Sequence, residues 1–573
     1  MTDPVAASPP VTVTATFCAT LVDEWVRHGV AHAMVAPGSR STPLALALAA
    51  RGDLRVHVFH DERSAAFAAL GIGRATGMPA VLLCTSGTAA ANFHPAVIEA
   101  HQGNVPLVVG TADRPPELRD VAAPQTIDQV GLYGSAVRWF CDPGVPDDAV
   151  RDTWRSLAAR AVLDARGPRP GPVQLNLPFR DPLVGTPGEL PPARVDGWHR
   201  ALVGDRVLDD DALAALAAVL DQQRGAIVAG AGAGDPSAIH AFAESVGWPV
   251  LADPRSGCRR PGRATVAAFD AILRHAAFAR DHAPAVVLRL GFPPASKVLN
   301  QWITASGAVQ VQVHASAQWI DPDRLVATRV VADPSVLCAA LTGRVRGATG
   351  TTWAARWRHA EQRAQAALDA AVSSPAHLTE PAVSRTLTAA LPDGAALVVS
   401  SSMPVRDVEW YGVVRDGLTV HANRGANGID GVVSTAVGVA LASPATPTAL
   451  LIGDLAFLHD ASGLLALRGR DLNLTIVVVD NRGGAIFSFL PQKAMLPADR
   501  YEQLFGTPAD TDPAAVAAAH GLDVQEVATV ADLRAAVAHA TERRGVRVLV
   551  VRSERDRNVA DHDALHRAVA AAL

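Results

Sequence analysis

Two strand-like runs end in oxygen-bearing side chains. Thr448-Ala-Leu-Leu-Ile-Gly-Asp454 reads as a buried strand delivering a carboxylate at its carboxyl end. Leu474-Thr-Ile-Val-Val-Val-Asp480 is a second such strand, followed at once by Asn481-Arg-Gly-Gly484. Ligands of open α/β sheets collect at that edge. A carboxylate on one strand end and an amide on a neighbouring one can share a small hard cation. Magnesium takes oxygen ligands in octahedral geometry and keeps phosphate oxygens in its shell. Asp454 and Asn481 would give one oxygen each, and a backbone carbonyl near Gly483 a third. Taken singly, Asp454 reads equally as a helix cap and Asn481 as a turn residue. The pair at matched strand ends is what points to a metal. A third acid, Glu62, stands where the strand-like Val56-His-Val-Phe-His60 passes into a helix that opens Asp61-Glu62-Arg63-Ser64. By itself it is an acid in a first helical turn, favourable to the helix dipole.

These groups need a scaffold, and short apolar runs alternate with alanine-rich stretches through the whole chain. Ala80-Val-Leu-Leu-Cys84, Val105-Pro-Leu-Val-Val109 and Val173-Gln-Leu-Asn-Leu177 suit buried parallel strands, and the stretches between them suit covering helices. The expected class is α/β with parallel sheets. Proline- and glycine-rich segments from Arg180 to about Gly197 and from Gly343 to Thr352 read as linkers between three blocks of domain size. With 49% hydrophobic and 19% charged residues the chain can build sizeable cores. A formal net charge of -5 gives no electrostatic reason to expect a nucleic-acid partner, so any anion site must be a local cluster of basic side chains. Met1 to Pro10 lacks a basic region followed by an apolar core, and no apolar run is long enough to span a bilayer. Cys18, Cys84, Cys141, Cys258 and Cys338 lie far apart without a CxxC pair. That argues against a zinc site or a disulfide framework and suits core thiols in a reducing cytoplasm. The expectation is a cytoplasmic protein with neither a membrane nor a nucleic acid as partner.

Gly453-Asp454 followed by Asp480-Asn481 resembles the thiamine-diphosphate motif, which begins Gly-Asp-Gly and ends in asparagine; Leu455 stands where many members have the third glycine. Over its whole length the chain resembles the 2-succinyl-5-enolpyruvyl-6-hydroxy-3-cyclohexene-1-carboxylate synthases of menaquinone biosynthesis. The segments that carry this are Ala36-Pro-Gly-Ser-Arg-Ser-Thr-Pro43, Thr111-Ala-Asp-Arg-Pro-Pro116, Pro124-Gln-Thr-Ile127, Ser401-Ser-Met-Pro-Val-Arg-Asp407 and Asn423-Arg-Gly-Ala-Asn-Gly-Ile-Asp430. The resemblance implies a pyrimidine-binding domain over 1–185, a Rossmann-like central domain over 200–345 and a diphosphate-binding domain over 355–573. Each is a mainly parallel sheet flanked by helices, the first and third sharing the thiamine-diphosphate-binding fold. It implies thiamine diphosphate with magnesium, or manganese, held by Asp454, Asn481 and Gly483, with Gly453 and Leu455 against the cofactor. Glu62 would be the catalytic acid on the aminopyrimidine ring, and Thr85, Gly87 and Thr88 the cofactor-facing turn. Ile429 would lie beneath the cofactor, Ile486 beside it, and Phe487 at the reacting centre, although all three also suit core packing. In this superfamily the cofactor lies between two subunits, which implies a homodimer or a dimer of dimers.

The implied reaction removes carbon dioxide from 2-oxoglutarate and adds the remaining succinyl unit to isochorismate in a 1,4-addition. Both substrates are diacids, and arginine grips a carboxylate with two parallel hydrogen bonds. Arg40, Arg114, Arg406 and Arg424 all fall in expected loops, and Lys297 is a fifth cation, although Val298 follows it where the family often has arginine. For any one arginine a solvated surface role is the commoner fate. Ser39, Gln125 and Ser402 would complete the hydrogen bonding. Three other readings stay open. One is a different thiamine-diphosphate enzyme, such as acetolactate synthase or a 2-oxoacid decarboxylase. Another is a nicotinamide or flavin oxidoreductase using the glycine-rich Gly225-Ala-Ile-Val-Ala-Gly-Ala-Gly-Ala-Gly-Asp235, with Asp253 at the distance of a ribose-binding acid. The third is a non-catalytic descendant, against which intact Glu62, Asp454 and Asn481 speak.

Overall fold

The alternation of apolar runs becomes three all-parallel sheets in a computed structural model that describes residues 9–204, 206–373, 378–465 and 467–573. Most of the Met1–Pro10 stretch read for a leader lies outside the described residues. The chain divides into two compact units. One comprises Met1–Val203 with Asn423–Ser443 and His459–Arg470; the other comprises Gly204–Ala422, Pro444–Leu458 and Asp471–Leu573.

The first unit holds β1 (His32–Val35), β2 (Arg55–Val58), β3 (Ala80–Cys84), β4 (Leu107–Asp113), β5 (Trp139–Cys141) and β6 (Pro172–Pro178), in the order β2-β1-β3-β4-β6-β5. β3, β4 and β6 are buried throughout, as their unbroken apolar runs require when helices cover both faces. One face packs Phe17, Leu21 and Trp25 of the helix Val13–Arg27 and Ala158 and Val162 of Trp154–Ala165. Ring truncation at a site such as Phe17, 2% exposed, would cost about 3–5 kcal/mol. The helix Glu62–Thr76 begins at Asp61, whose carboxylate accepts from the amides of Arg63 and Ser64. It packs closely on Val432–Ala442: a Cβ built at Gly438 would stand 2.0 Å from the Ala68 carbonyl oxygen. Small residues on both helices permit that approach. The segment expected as the first linker is irregular but tied, since Arg155 donates to the Pro191 carbonyl and the Trp198 amide to Glu24.

The second unit holds two sheets. β7 (Gly225–Ala229), β8 (Val250–Ala252), β9 (Thr265–Val266), β10 (Val286–Leu290), β11 (Val309–Val313) and β12 (Val326–Val330) run in the order β12-β11-β10-β7-β8-β9. Numbered within the sheet this is 3-2-1-4-5-6 read backwards, the dinucleotide-fold order. β13 (Ala396–Val399), β14 (Thr419–His421), β15 (Thr448–Gly453), β16 (Asn473–Asp480), β17 (Asp523–Glu526) and β18 (Gly545–Arg552) run β14-β13-β15-β16-β18-β17. That repeats the strand order of the first sheet. Buried Arg259 fastens the two sheets together. Its guanidinium donates to the carbonyls of Ala252 and Ala267 on one side and of Val408, Glu409 and Gly412 on the other. The expected second linker, Gly343–Thr352, is no free hinge. Asp221 accepts from the Arg346 and Gly347 amides, and Trp353 just beyond donates to the Gly225 carbonyl. Its glycines turn the chain so that Trp353 and Trp357 enter the core.

Candidate active site

β15 and β16 pair in register, Gly453 opposite Val479, so Asp454 and Asp480 leave the sheet at the same level. Asp454 is 3% exposed. Its Oδ1 accepts from the Leu455 amide at 2.8 Å and its Oδ2 from the Gly483 amide at 2.7 Å. Burial, and then the neighbouring Asp480, pushes its carboxyl well above the usual carboxylate range. Nearby cationic charge would reverse that shift. Asn481 is buried and donates from Nδ2 to Glu380 Oε1 at 3.0 Å, while its Oδ1 is buried with no hydrogen-bond partner. A buried acceptor left unpaired costs about 1–3 kcal/mol. Gly483 has φ +141°, and a Cβ there would meet the Gly506 carbonyl oxygen at 2.2 Å. Only glycine lets its amide reach Asp454. Beside these groups a Cβ built at Gly453 meets nothing within 4 Å. An uncompensated carboxyl, an orphan amide oxygen and open space fit a hard cation carrying further oxygen ligands. Among the described residues no group of three His, Cys, Asp or Glu could hold a metal.

Other candidates in this unit follow strands of the same sheet or, for Lys297, of the middle sheet. Leu455 is half-buried in the short helix Asp454–His459. Ser402 follows β13 in a strained backbone conformation, φ +71°, and caps the helix Met403–Tyr411. Arg406 lies on that helix rather than in the expected loop: Ser402 starts the helix and Pro404 is tolerated in its first turn. The guanidinium donates to the Ser402 carbonyl, and burial lowers its pKa. Ile486 and Phe487 occupy the 3-10 turn Ala485–Phe489. Ile486 packs partly on the core, and Phe487 meets the Phe505 ring edge-on at 5.5 Å. Lys297 is exposed at the start of the helix Lys297–Ser306, whose cap Ser296 donates to Asp270. The preceding loop is tied to the Met403–Tyr411 helix, since the Ala295 amide donates to Glu409.

In the first unit the sheet edge is built of donors. Arg40 is 6% exposed, its amide donates to Thr85 Oγ1, and its Nη1 donates to the Phe179 carbonyl at 2.9 Å. Burial, and then the charge of Arg114, lowers its pKa, while Asp181 opposes the shift. The two guanidiniums are therefore neighbours, and the Nε of each is buried without a partner. Arg114 also donates to the Pro124 carbonyl. Gln125, at φ +55°, exchanges hydrogen bonds with Ser86 through Gln125 Nε2 and Ser86 Oγ. This brings Arg40, Thr85, Gly87, Arg114 and Gln125 together, with Ser39 and Thr88 exposed beside them. Glu62 is half-buried at the start of its helix, and its charge, after burial, helps push the Cys84 thiol up at the end of β3. Its carboxylate makes no hydrogen bond or ion pair among the described residues. Arg424 and Ile429 lie on the 423–431 loop of the same unit, where Ile429 is 38% exposed and so does not pack in this core.

Several supporting residues escaped sequence reasoning. Buried Gln129 accepts from the Gly87 amide and so holds the turn after β3. Buried Glu99 accepts from the amides of Gly425, Ala426 and Asn427 and shapes the Arg424 loop. Asp460, pushed up to about 6 by burial, caps the helix Val432–Ala442 through the amide and hydroxyl of Ser434. Glu380 holds Asn481. The local signal for Glu380 was its place after Thr379 at a helix start, which says nothing of a partner 101 residues away.

At the glycine turn of the middle sheet, Gly230 is packed against its own chain. A Cβ at Gly230 would stand 1.6 Å from the Phe292 carbonyl oxygen, and Asp253 is taken by Arg255 at 2.7 Å. Gly230 there serves backbone packing, Gly232 has nearly open space beside it, and the ribose-type acid is spent in an ion pair. A nucleotide oxidoreductase is not supported.

No helix among the described residues is long and apolar enough to cross a membrane. Family models match three stretches of the chain. They are the N-terminal TPP binding domain of thiamine pyrophosphate enzymes over residues 15–132, the thiamine pyrophosphate middle domain over 207–399 and the C-terminal TPP binding domain over 411–551. Among curated relatives, the 2-succinyl-5-enolpyruvyl-6-hydroxy-3-cyclohexene-1-carboxylate synthase of Chloroflexus aurantiacus is 42% identical, covering 97% of this chain and 96% of that protein. The synthase of the same name from Myxococcus xanthus is 43% identical over 96% and 97%. The fold is also that of a benzoylformate decarboxylase from Polynucleobacter necessarius, with a TM-score of 0.72 at 18% identity over 95% of this chain and 99% of that one.

Proposed function

The chain belongs to the 2-succinyl-5-enolpyruvyl-6-hydroxy-3-cyclohexene-1-carboxylate synthase family of thiamine-diphosphate enzymes, and from that premise we propose that it joins 2-oxoglutarate, with loss of carbon dioxide, to isochorismate in menaquinone biosynthesis. One observation carries the reading: the orphan Oδ1 of Asn481 beside the buried, charge-starved Asp454. Asp454, Asn481 and the Gly483 carbonyl would hold magnesium or manganese, and open Gly453 admits the phosphates that complete its shell. Bound thiamine diphosphate supplies an acidic thiazolium carbon and an electron sink for decarboxylation. Glu62, which makes no hydrogen bond or ion pair among the described residues, would hold a proton at the aminopyrimidine ring. Thr85, Gly87 and Thr88 form the turn facing that ring.

Arg40 and Arg114 repel each other and keep unpaired Nε donors, an arrangement suited to a bound carboxylate. Arg406, Arg424 and Lys297, with Ser39, Gln125 and Ser402, receive the remaining carboxylates and hydroxyls. Two diacids fixed against each other lose the entropy of encounter before reaction. Ile429, Ile486 and Phe487 give the centre apolar walls that exclude water. The working form is a cytoplasmic homodimer or dimer of dimers, with exposed Ile429 covered when the subunits and cofactor assemble.

The test is to mix purified protein with thiamine diphosphate, magnesium, 2-oxoglutarate and isochorismate and follow isochorismate. It should disappear only when all four are present. Carbon dioxide release from 2-oxoglutarate or pyruvate with isochorismate untouched would instead assign a decarboxylase.

A further inference from the structure

Glu380 begins the helix Glu380–Ala390 and is 4% exposed, yet it lies outside every motif that carries the family resemblance. Its Oε1 accepts from two donors, Asn481 Nδ2 at 3.0 Å and Ser553 Oγ at 2.7 Å. Asn481 follows β16 and Ser553 follows β18, so the carboxylate bridges the ends of two paired strands.

This bridge decides which way the Asn481 amide points. An amide's two ends differ little in shape, and only the hydrogen-bond network distinguishes them. Because Glu380 Oε1 already accepts from a hydroxyl, the end of Asn481 facing it must be the donor. The opposite end is then the oxygen, which is the atom found buried and unpartnered. Rotating the amide would set an N–H toward the cation and an oxygen against a carboxylate, both unfavourable. A carboxylate behind an amide N–H also draws electron density toward its oxygen and makes it a better ligand.

We propose that Glu380, steadied by Ser553, is a positioning residue that presents the Asn481 oxygen to the divalent cation. The inference rests on the cation reading above. It assigns this chain a carboxylate that sets cation affinity without touching cation or substrate.

The test titrates apoprotein with Mg2+ at fixed thiamine diphosphate, read by tryptophan fluorescence, alongside thermal melting of each apo variant. Glu380→Ala should raise the Mg2+ dissociation constant roughly 10- to 100-fold, the usual effect of losing a group that orients a ligand. Glu380→Gln keeps an acceptor for Asn481 and should stay within about threefold of wild type, while Ser553→Ala should give a rise of a few fold. The turnover number of Glu380→Ala should recover at saturating Mg2+, which a general loss of structure would not allow. Should Glu380→Ala fail to fold, the Ser553→Ala titration decides, and an unchanged constant there overturns the proposal. Wild-type protein that binds thiamine diphosphate with Mg2+, together with a folded Glu380→Ala that binds Mg2+ equally tightly, refutes the positioning role alone. Wild-type protein showing no Mg2+-dependent cofactor binding refutes the cation reading itself.

Discussion

The first and third sheets run through the same strand order, β2-β1-β3-β4-β6-β5 and β14-β13-β15-β16-β18-β17, and differ in what their carboxyl edges present. The third edge offers oxygen: the Asp454 carboxyl and the Asn481 Oδ1. The first offers nitrogen: the Nε atoms of Arg40 and Arg114, left unpaired in a buried setting. The middle sheet has the strand order of a dinucleotide fold and a glycine turn to match, but the Phe292 carbonyl blocks that turn at Gly230 and Arg255 occupies Asp253. Strand order therefore supplies an edge, while the side chains and the empty space at that edge decide whether anything binds. The third sheet's edge suits a cation, the first sheet's suits acids, and at the middle sheet the ribose-type acid is already paired.

Five substitutions press on this division. Glu62→Gln should lower turnover roughly 10²- to 10⁴-fold, the range for a lost acid–base group, with thiamine diphosphate still bound and the melting temperature unchanged. Asp454→Asn should lower activity through binding instead, raising the Mg2+ requirement roughly 100-fold at the least. Equal loss of cofactor binding in both, measured by fluorescence titration, would erase the distinction between the edges. Arg114→Ala removes a charge-assisted hydrogen bond of about 1.5–3 kcal/mol, so KM for one diacid should rise roughly 10- to 100-fold with a smaller change in kcat. Steady-state kinetics with an unchanged KM would remove the first edge from substrate binding. The smallest contrast is between two glycines. Gly230→Ala meets backbone at 1.6 Å and should destabilise the protein by about 1–3 kcal/mol in denaturant unfolding, leaving cofactor affinity alone. A Cβ at position 453 meets open space, so Gly453→Ala should leave unfolding unchanged and weaken cofactor binding.

Much of this was legible in the chain because the signals are local. A buried parallel strand must be continuously apolar, so β3, β15 and β16 stand out with their terminal polar residues. Glu62 reads as a first-turn acid and is found there, behind the cap residue Asp61. Arg406 was misplaced in a loop because Ser401-Ser-Met-Pro reads as a turn, whereas proline in the first helical turn begins a helix. Glu99, Gln129 and Glu380 were illegible for a different reason. Each is a buried polar side chain whose meaning lies in distant backbone amides or a distant side chain, such as Gly425, Gly87 and Asn481. Nothing at their own positions marks them, since burial and partners exist only once the sheets have assembled. The glycine turn at Gly230 left a nucleotide reading open as an alternative, for the space beside a glycine cannot be read from its spacing.

The most direct measurement is anomalous scattering from crystals grown with thiamine diphosphate and manganese in place of magnesium. The expected map has one strong metal peak within about 2.0–2.3 Å of an Asp454 carboxylate oxygen, Asn481 Oδ1 and the Gly483 carbonyl, with phosphate oxygens completing the shell. A manganese peak elsewhere, or an Asn481 oxygen turned away from it, would contradict the cation site on which the function is built.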